Sequence, residues 1–275
     1  MTDRSARMTI ASILVAVDLE PSARERLRLA GHLADAFGSG LIGVAADEPP
    51  YGVPPVGPTL GSTYALAAAS EMVMNDLTRA HAVFEAEIGR DRRRAWRSNL
   101  GPSLPFLIAQ AAAADLVVVG RREAPALFAI DPGDLAMQLG GPVLVVPPGI
   151  DHLDAKRVLV GWKNTREARR AVRDAIPFLE RASQVVVASV DDGFGPADPR
   201  DLVALLQAHG IATRAVTPDA TGTTVAGALT DAAAEYGADL VVAGAYGHSR
   251  LREWAFGGVT RDLMAGSPVC CLMSH

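Results

Sequence analysis

The chain repeats itself. Ile13-Leu14-Val15-Ala16-Val17-Asp18 returns as Val158-Leu159-Val160-Gly161-Trp162-Lys163, and Pro142-Val143-Leu144-Val145-Val146 as Pro268-Val269-Cys270-Cys271-Leu272. Between them, Ala114-Asp115-Leu116-Val117-Val118-Val119-Gly120 returns as Ala238-Asp239-Leu240-Val241-Val242-Ala243-Gly244, with six of seven positions identical. The blocks keep their order, which is the signature of a duplicated folding unit. The Pro-Pro-Gly run at Pro147 to Gly149 marks irregular chain between the copies. The repeat therefore predicts two domains, residues 1–150 and 151–275. The first copy carries an excess, a Pro/Gly-rich stretch from Pro49 to Gly61 followed by a long helix.

Within each copy, apolar runs alternate with helical stripes. Ile13–Val17 is uninterrupted, as expected of a strand covered on both faces. Ser22 then opens a helix, with Glu25 placed to close a capping box. Leu27, Ala30, Leu33, Ala34 and Phe37 share one face of it, and Gly38 ends it. Leu41–Ala45 reads as a second strand. Val73, Leu77, Ala80, Phe84 and Ile88 give a second helix its stripe. A strand near Ala95–Ser98, a helix after Gly101-Pro102-Ser103 and a strand at Leu116–Val119 complete the unit. The second copy follows from Val158, with Asn164 and Glu167 in the cap positions. Alternating strands and helices predict an α/β fold, a parallel sheet with helices on both faces. Ligands of such sheets bind beyond the carboxyl ends of the strands, where strand order reverses.

Composition narrows the function classes. Lys+Arg 26 against Asp+Glu 31 gives a formal charge of −5, which argues against nucleic acid or an acidic membrane as partner. The basic run Arg90-Asp91-Arg92-Arg93-Arg94 beside Trp96 and Arg97 reads better as a solvated charge cluster guarding an edge strand. The two cysteines, Cys270 and Cys271, are adjacent and lack metal-site spacing, so they read as small buried hydrophobes in a reducing, cytoplasmic compartment. Arg4 and Arg7 before Ile10–Val17 do not make a signal peptide, because the stretch is short and runs into Asp18 and Glu20.

Chemistry concentrates after the fourth strand of the second copy. Gly244-Ala245-Tyr246-Gly247-His248 leads on to Gly257-Gly258-Val259-Thr260. Glycines admit positive φ and close approach of a ligand to the backbone. A helix starting near Gly258 would offer free N–H groups and a positive dipole end to an anion, with the Thr260 hydroxyl in its first turn. In the first copy the spacing Gly120 to Gly133 survives, but Glu123 replaces Gly247 and Asp134 replaces Gly258, with Asp131 close by. Carboxylates there cap the helix themselves and repel phosphate. At most one anion site is expected, in the second copy.

This glycine pattern resembles the G-2x-G-9x-G-[S/T] nucleotide motif of universal stress proteins, and the likeness extends over the chain as a tandem of two such domains. The blocks "VLVGWKNTREARRAV" and "SPVCCLMSH" are similar to a tandem bacterial branch. The resemblance implies two Rossmann-like (adenine nucleotide alpha hydrolase-like) domains, each a five-stranded parallel sheet of order 3-2-1-4-5. Their last strands, Val143–Val146 and Val269–Leu272, would pair into an intramolecular pseudo-dimer, with further homodimerisation left open. It also implies an adenine nucleotide (ATP, ADP or AMP, with or without Mg2+) over strands one and four, and an unidentified protein partner. Carried over, the nucleotide residues are Gly244, Gly247, His248, Gly257, Gly258, Val259 and Thr260, with Trp162 and Lys163 at the end of strand one. Two positions depart from the pattern. Gly258 replaces the Ser/Thr, and Lys163 stands where Asp18 supplies the acid in the first copy.

Rival readings exist for several of these residues. Trp162 is either a core aromatic or a base-stacking surface, and Lys163 either neutralises a phosphate or is simply solvated. His248 either rims the cleft or touches phosphate. Gly247-His248-Ser249-Arg250-Leu251 begins like a nucleophile elbow but lacks its closing glycine. No paired carboxylates near the loop support hydrolysis. The expectation is a stress-response regulatory protein without dedicated catalysis or a metal centre. The alternatives are a scaffold that has lost the nucleotide and a slow ATPase.

Overall fold

The computed structural model describes residues 9–49, 60–89, 93–121, 130–191, 197–246 and 258–275. The first half runs β1 (Ser12–Ala16), α1 (Ala23–Phe37), β2 (Gly40–Asp47), α2 (Leu60–Ile88), β3 (Arg94–Leu100), α3 (Ser103–Ala111), β4 (Leu116–Gly120), α4 (Pro132–Leu139) and β5 (Val143–Val146). The second runs β6 (Arg157–Gly161), α5 (Arg166–Leu179), β7 (Gln184–Ala188), α6 (Arg200–Ala208), β8 (Thr213–Val216), α7 (Val225–Glu235), β9 (Leu240–Gly244), α8 (Gly258–Gly266) and β10 (Cys270–Ser274). Most of the Pro49–Gly61 stretch, and Glu123, lie outside the described residues.

All ten strands form one sheet, in the order β3-β2-β1-β4-β5-β10-β9-β6-β7-β8. Each half is thus a 3-2-1-4-5 sheet. Pairing within the halves is parallel, and the seam between β5 and β10 is antiparallel. At the seam Cys271 faces Val145, Leu272 faces Leu144 and Met273 faces Val143. The expected pseudo-dimer is therefore present, with β10 reaching two residues further than expected, to Ser274.

Alternation along the strands sends side chains to two separate cores. Ile13, Val15, Val158, Val160, Leu240, Val242 and Leu272 pack under α1, α2, α5 and α6. Leu14, Leu159, Val117, Val241, Cys271 and Met273 pack under α3, α4, α7 and α8. Both faces being covered explains why the strands read as unbroken apolar runs. Cys270 and Cys271 are free and buried, one in each core, as expected. Burial pushes their thiol pKa values up to about 12 and about 11.

Two caps differ from expectation. Ser22 has helical φ and ψ and makes no side-chain capping bond. Glu25, instead of closing a box, accepts from the Gly149 N–H at 2.7 Å, because the chain between the halves passes over α1. In α5 the cap is Thr165, one residue later than expected; its Oγ1 accepts from the Ala168 N–H at 3.2 Å. Asn164 Oδ1 accepts from Arg169 Nη1, and Glu167 turns to Arg166.

Candidate functional site: two unequal crevices

In each half, strand order reverses between the first and fourth strands, and their following helices leave toward opposite faces of the sheet. That leaves one crevice at the carboxyl ends of β1 and β4 and another at those of β6 and β9. The two crevices are filled differently.

In the first, α1 sends Arg26 inward. It is 2% exposed, and its Nη2 lies 2.6 Å from Asp18 Oδ2 while its Nε donates to the Ala16 carbonyl at 3.1 Å. The guanidinium lies so close over Gly120 that a Cβ there would collide with Nη1. Asp18, the acid expected near a nucleotide, is thus held by the chain's own arginine. At the mouth, Asp131 Oδ1 accepts from the N–H groups of Gly133 and Asp134, at 2.8 and 3.0 Å. The start of α4 is capped by an internal anion, as the sequence leads one to expect.

Among the described residues, the second crevice shows neither device. Superposing the repeats by their strand-one blocks puts Ala171 where Arg26 stands and Lys163 where Asp18 stands; Ala171 is fully buried and Lys163 is exposed. The floor is backbone. A Cβ on Gly244 would lie 2.5 Å from the Ala168 N and 2.7 Å from the Glu167 carbonyl carbon, so α5 packs directly on the end of β9. Gly258 is the first residue of α8, as expected, with Val259 and Thr260 in its first turn. Thr260 Oγ1 accepts from the Tyr246 N–H at 3.1 Å. That contact uses an oxygen lone pair and leaves the hydroxyl proton to be donated.

Tyr246 itself has φ 54°, a left-handed backbone unusual for a non-glycine residue. Its phenol crosses the seam and stands against Gly133 in the first turn of α4, where any side chain would collide with it. The loop after β9 is therefore braced on the opposite half. Gly247, His248 and Gly257 lie outside the described residues.

One expected site residue and one expected cap residue have other surroundings. Trp162 is 8% exposed and packs in the core beneath α5, with its Nε1 buried and unpartnered. That placement is the core reading of this residue. Glu167 is buried in the first turn of α5. Burial raises its pKa, but the hydrogen bond from Arg166, its backbone bond and Thr165 outweigh that and hold the carboxyl below the usual range. One unfavourable group was not expected. Asp262 Oδ2 would lie 3.2 Å from a Cβ on Gly258, which puts a carboxylate beside the start of α8.

Residues 155–275 match the universal stress protein family. That match covers the second half of the chain. Over nearly its whole length the chain is also similar to a universal stress protein from Archaeoglobus fulgidus DSM 4304, at 17% identity and a TM-score of 0.70, covering 96% of this chain and 95% of that one. A putative universal stress protein from Pseudomonas aeruginosa UCBPP-PA14 (17% identity, TM-score 0.52) covers 96% of this chain and 93% of its own. A functionally unknown protein from Pseudomonas aeruginosa PAO1 gives 17% identity and a TM-score of 0.51, covering 96% of this chain and 92% of its own. No curated protein matches. At such identity the solved structures establish the fold, and the universal stress protein fold is tandem here.

Sequence reading missed Arg26, Tyr246 and Asp262. Arg26 carried a usable signal, since a charged residue at that place interrupts the buried stripe formed by Ala23, Leu27, Ala30 and Leu33. Tyr246 and Asp262 carried none, because their contacts depend on how the loop after β9 and the two halves come together.

Proposed function

We propose that the second crevice binds an adenine nucleotide, ATP, ADP or AMP, and that the protein acts as a stress-response regulator without dedicated catalysis. The supporting observation is the inequality of the two crevices. One is filled by Arg26 and Asp18 and capped by Asp131, whereas the other replaces that ion pair with Ala171 and Lys163. The donor set fits a polyphosphate. The first-turn N–H groups of α8 and the Thr260 hydroxyl would supply hydrogen bonds, and Lys163 charge at the end of β6. Gly244, Gly247, His248, Gly257, Gly258 and Val259 would form the phosphate cradle, and Mg2+ would accompany ATP. Trp162 in its core position would support the floor of the site rather than stack on the base.

A second reading has its own support. Gly258 offers no side-chain hydroxyl, and Asp262 places negative charge where phosphate would lie. These favour a scaffold that has given up the nucleotide and works through protein contacts. Mass spectrometry of the purified chain discriminates. Co-purified ATP, ADP or AMP, with a rise in melting temperature on adding ATP, supports the nucleotide reading. Absence of both supports the scaffold.

A further inference from the structure

The strap joining β5 to β6 lies along α1. Glu25, Arg28 and His32 follow at helical spacing on one face of that helix, and each meets the strap. Glu25 accepts from the Gly149 N–H, Arg28 Nε lies 3.7 Å from Asp151 Oδ2, and the His32 and His152 rings approach to 3.7 Å between centroids at an angle of 41°. Leu153 and Ala155 are buried and anchor the strap, and Ala155 is held at φ 49°, a conformation that persists only under packing from its surroundings. Asp154, between the two anchors, brings Oδ1 to 3.1 Å from His152 Nε2.

His32 completes the cluster. Its Nδ1 is buried and has no hydrogen-bond partner, which carries a free-energy cost. One donor atom from each of His32, His152 and Asp154 lies within 4.8 Å of the other two. Tetrahedral coordination with bonds of about 2.1 Å needs donors about 3.4 Å apart. The His152–Asp154 pair already meets that separation. Both side chains are about half exposed, so rotation of the strap residues can close the remaining distance to His32. Two neutral imidazoles and one carboxylate form a borderline donor set that suits zinc, and three protein ligands leave a fourth position for water.

We propose that His32, His152 and Asp154 form a binding site for a divalent transition cation of the zinc class, which pins the strap between the halves to α1. The strap residues precede β6, whereas the nucleotide crevice lies past its carboxyl end, and the site uses none of that crevice's residues. The test uses the full chain, stripped with chelator and free of nucleotide, titrated with Zn2+ by calorimetry and with Co2+ by visible absorption. One ion per chain is expected, with a d–d band showing imidazole ligation. His152→Ala and Asp154→Asn alter half-exposed side chains, so folding is retained and checked by circular dichroism. Each is expected to weaken binding by about tenfold or more. His209→Gln, an exposed histidine elsewhere, should leave it unchanged. Absence of stoichiometric binding, or binding of equal strength in the His152→Ala and Asp154→Asn chains, would overturn the proposal. The second outcome would leave the two imidazoles as a packing contact.

Discussion

Arg26 Nη2 stands 2.6 Å from Asp18 Oδ2 at the floor of the first crevice, with the arginine almost wholly buried. The pair converts what would be a ligand cleft into part of the core. Removing one member should be costly, because the other is left in low dielectric without its countercharge. Arg26→Ala is expected to destabilise the chain by about 3 kcal/mol, read as a lower urea midpoint at unchanged slope. Pairing Arg26→Met with Asp18→Asn should recover much of that loss. An Arg26→Ala chain as stable as the parent would show that the pair contributes nothing.

Gly244 makes the corresponding point for the second crevice. Its missing Cβ is what lets the backbone of Glu167 and Ala168 rest on the end of β9. Gly244→Ala must push α5 away, and overpacking of this kind costs about 1–3 kcal/mol. Thermal unfolding should show that loss, and ATP should bind more weakly as the crevice deforms.

The start of α8 carries an opposing charge. A carboxylate beside a helix N-terminus competes with phosphate for the same N–H groups and for the positive dipole end. Asp262→Asn keeps the shape and removes the charge, so ATP affinity should rise by about twofold to fivefold, the span of a helix-end charge effect. Calorimetric titration of both chains reads this directly. Unchanged affinity would place the phosphates away from α8.

How far the sequence carried these conclusions depends on where each contact is made. Ile13–Val17, Leu116–Val119 and their repeats declared themselves as strands because burial on both faces leaves no polar position to confuse the period. The repeat located β5 and β10 as one recurring block, while their pairing across the seam came from the resemblance to universal stress proteins. The caps of α1 and α5 were misread for a physical reason: Glu25 is recruited by Gly149, which is remote in sequence, and Thr165 competes with Asn164 for the same helix end. Asp131 could be read as a cap from its place alone. The sealing of the first crevice could not, since it needs Arg26 to fold back over Gly120.

The cysteines give a pH test. Burial raises the folded thiol pKa values from 9.0 to about 12 for Cys270 and about 11 for Cys271. The unfolded thiols ionise first, so this stability is complete below pH 9.0 and is lost as pH climbs through the folded values. Melting temperature should fall steeply above pH 9.0, and less steeply in a Cys270→Ala chain. In the native chain at neutral pH both thiols should resist aromatic disulfide reagents, and both should react after unfolding. Rapid labelling of the folded protein would contradict their placement in the two cores.

The central claim is that one half of a duplicated fold keeps a nucleotide crevice and the other has closed it. Photolabelling with an azido-ATP analogue, followed by peptide mapping and stoichiometry, tests this most directly. The account predicts one label per chain, competed by ATP, on peptides from the second half at the ends of β6 and β9. Two equivalent labels, a label at the ends of β1 and β4, or no ATP-competed label at all would contradict it.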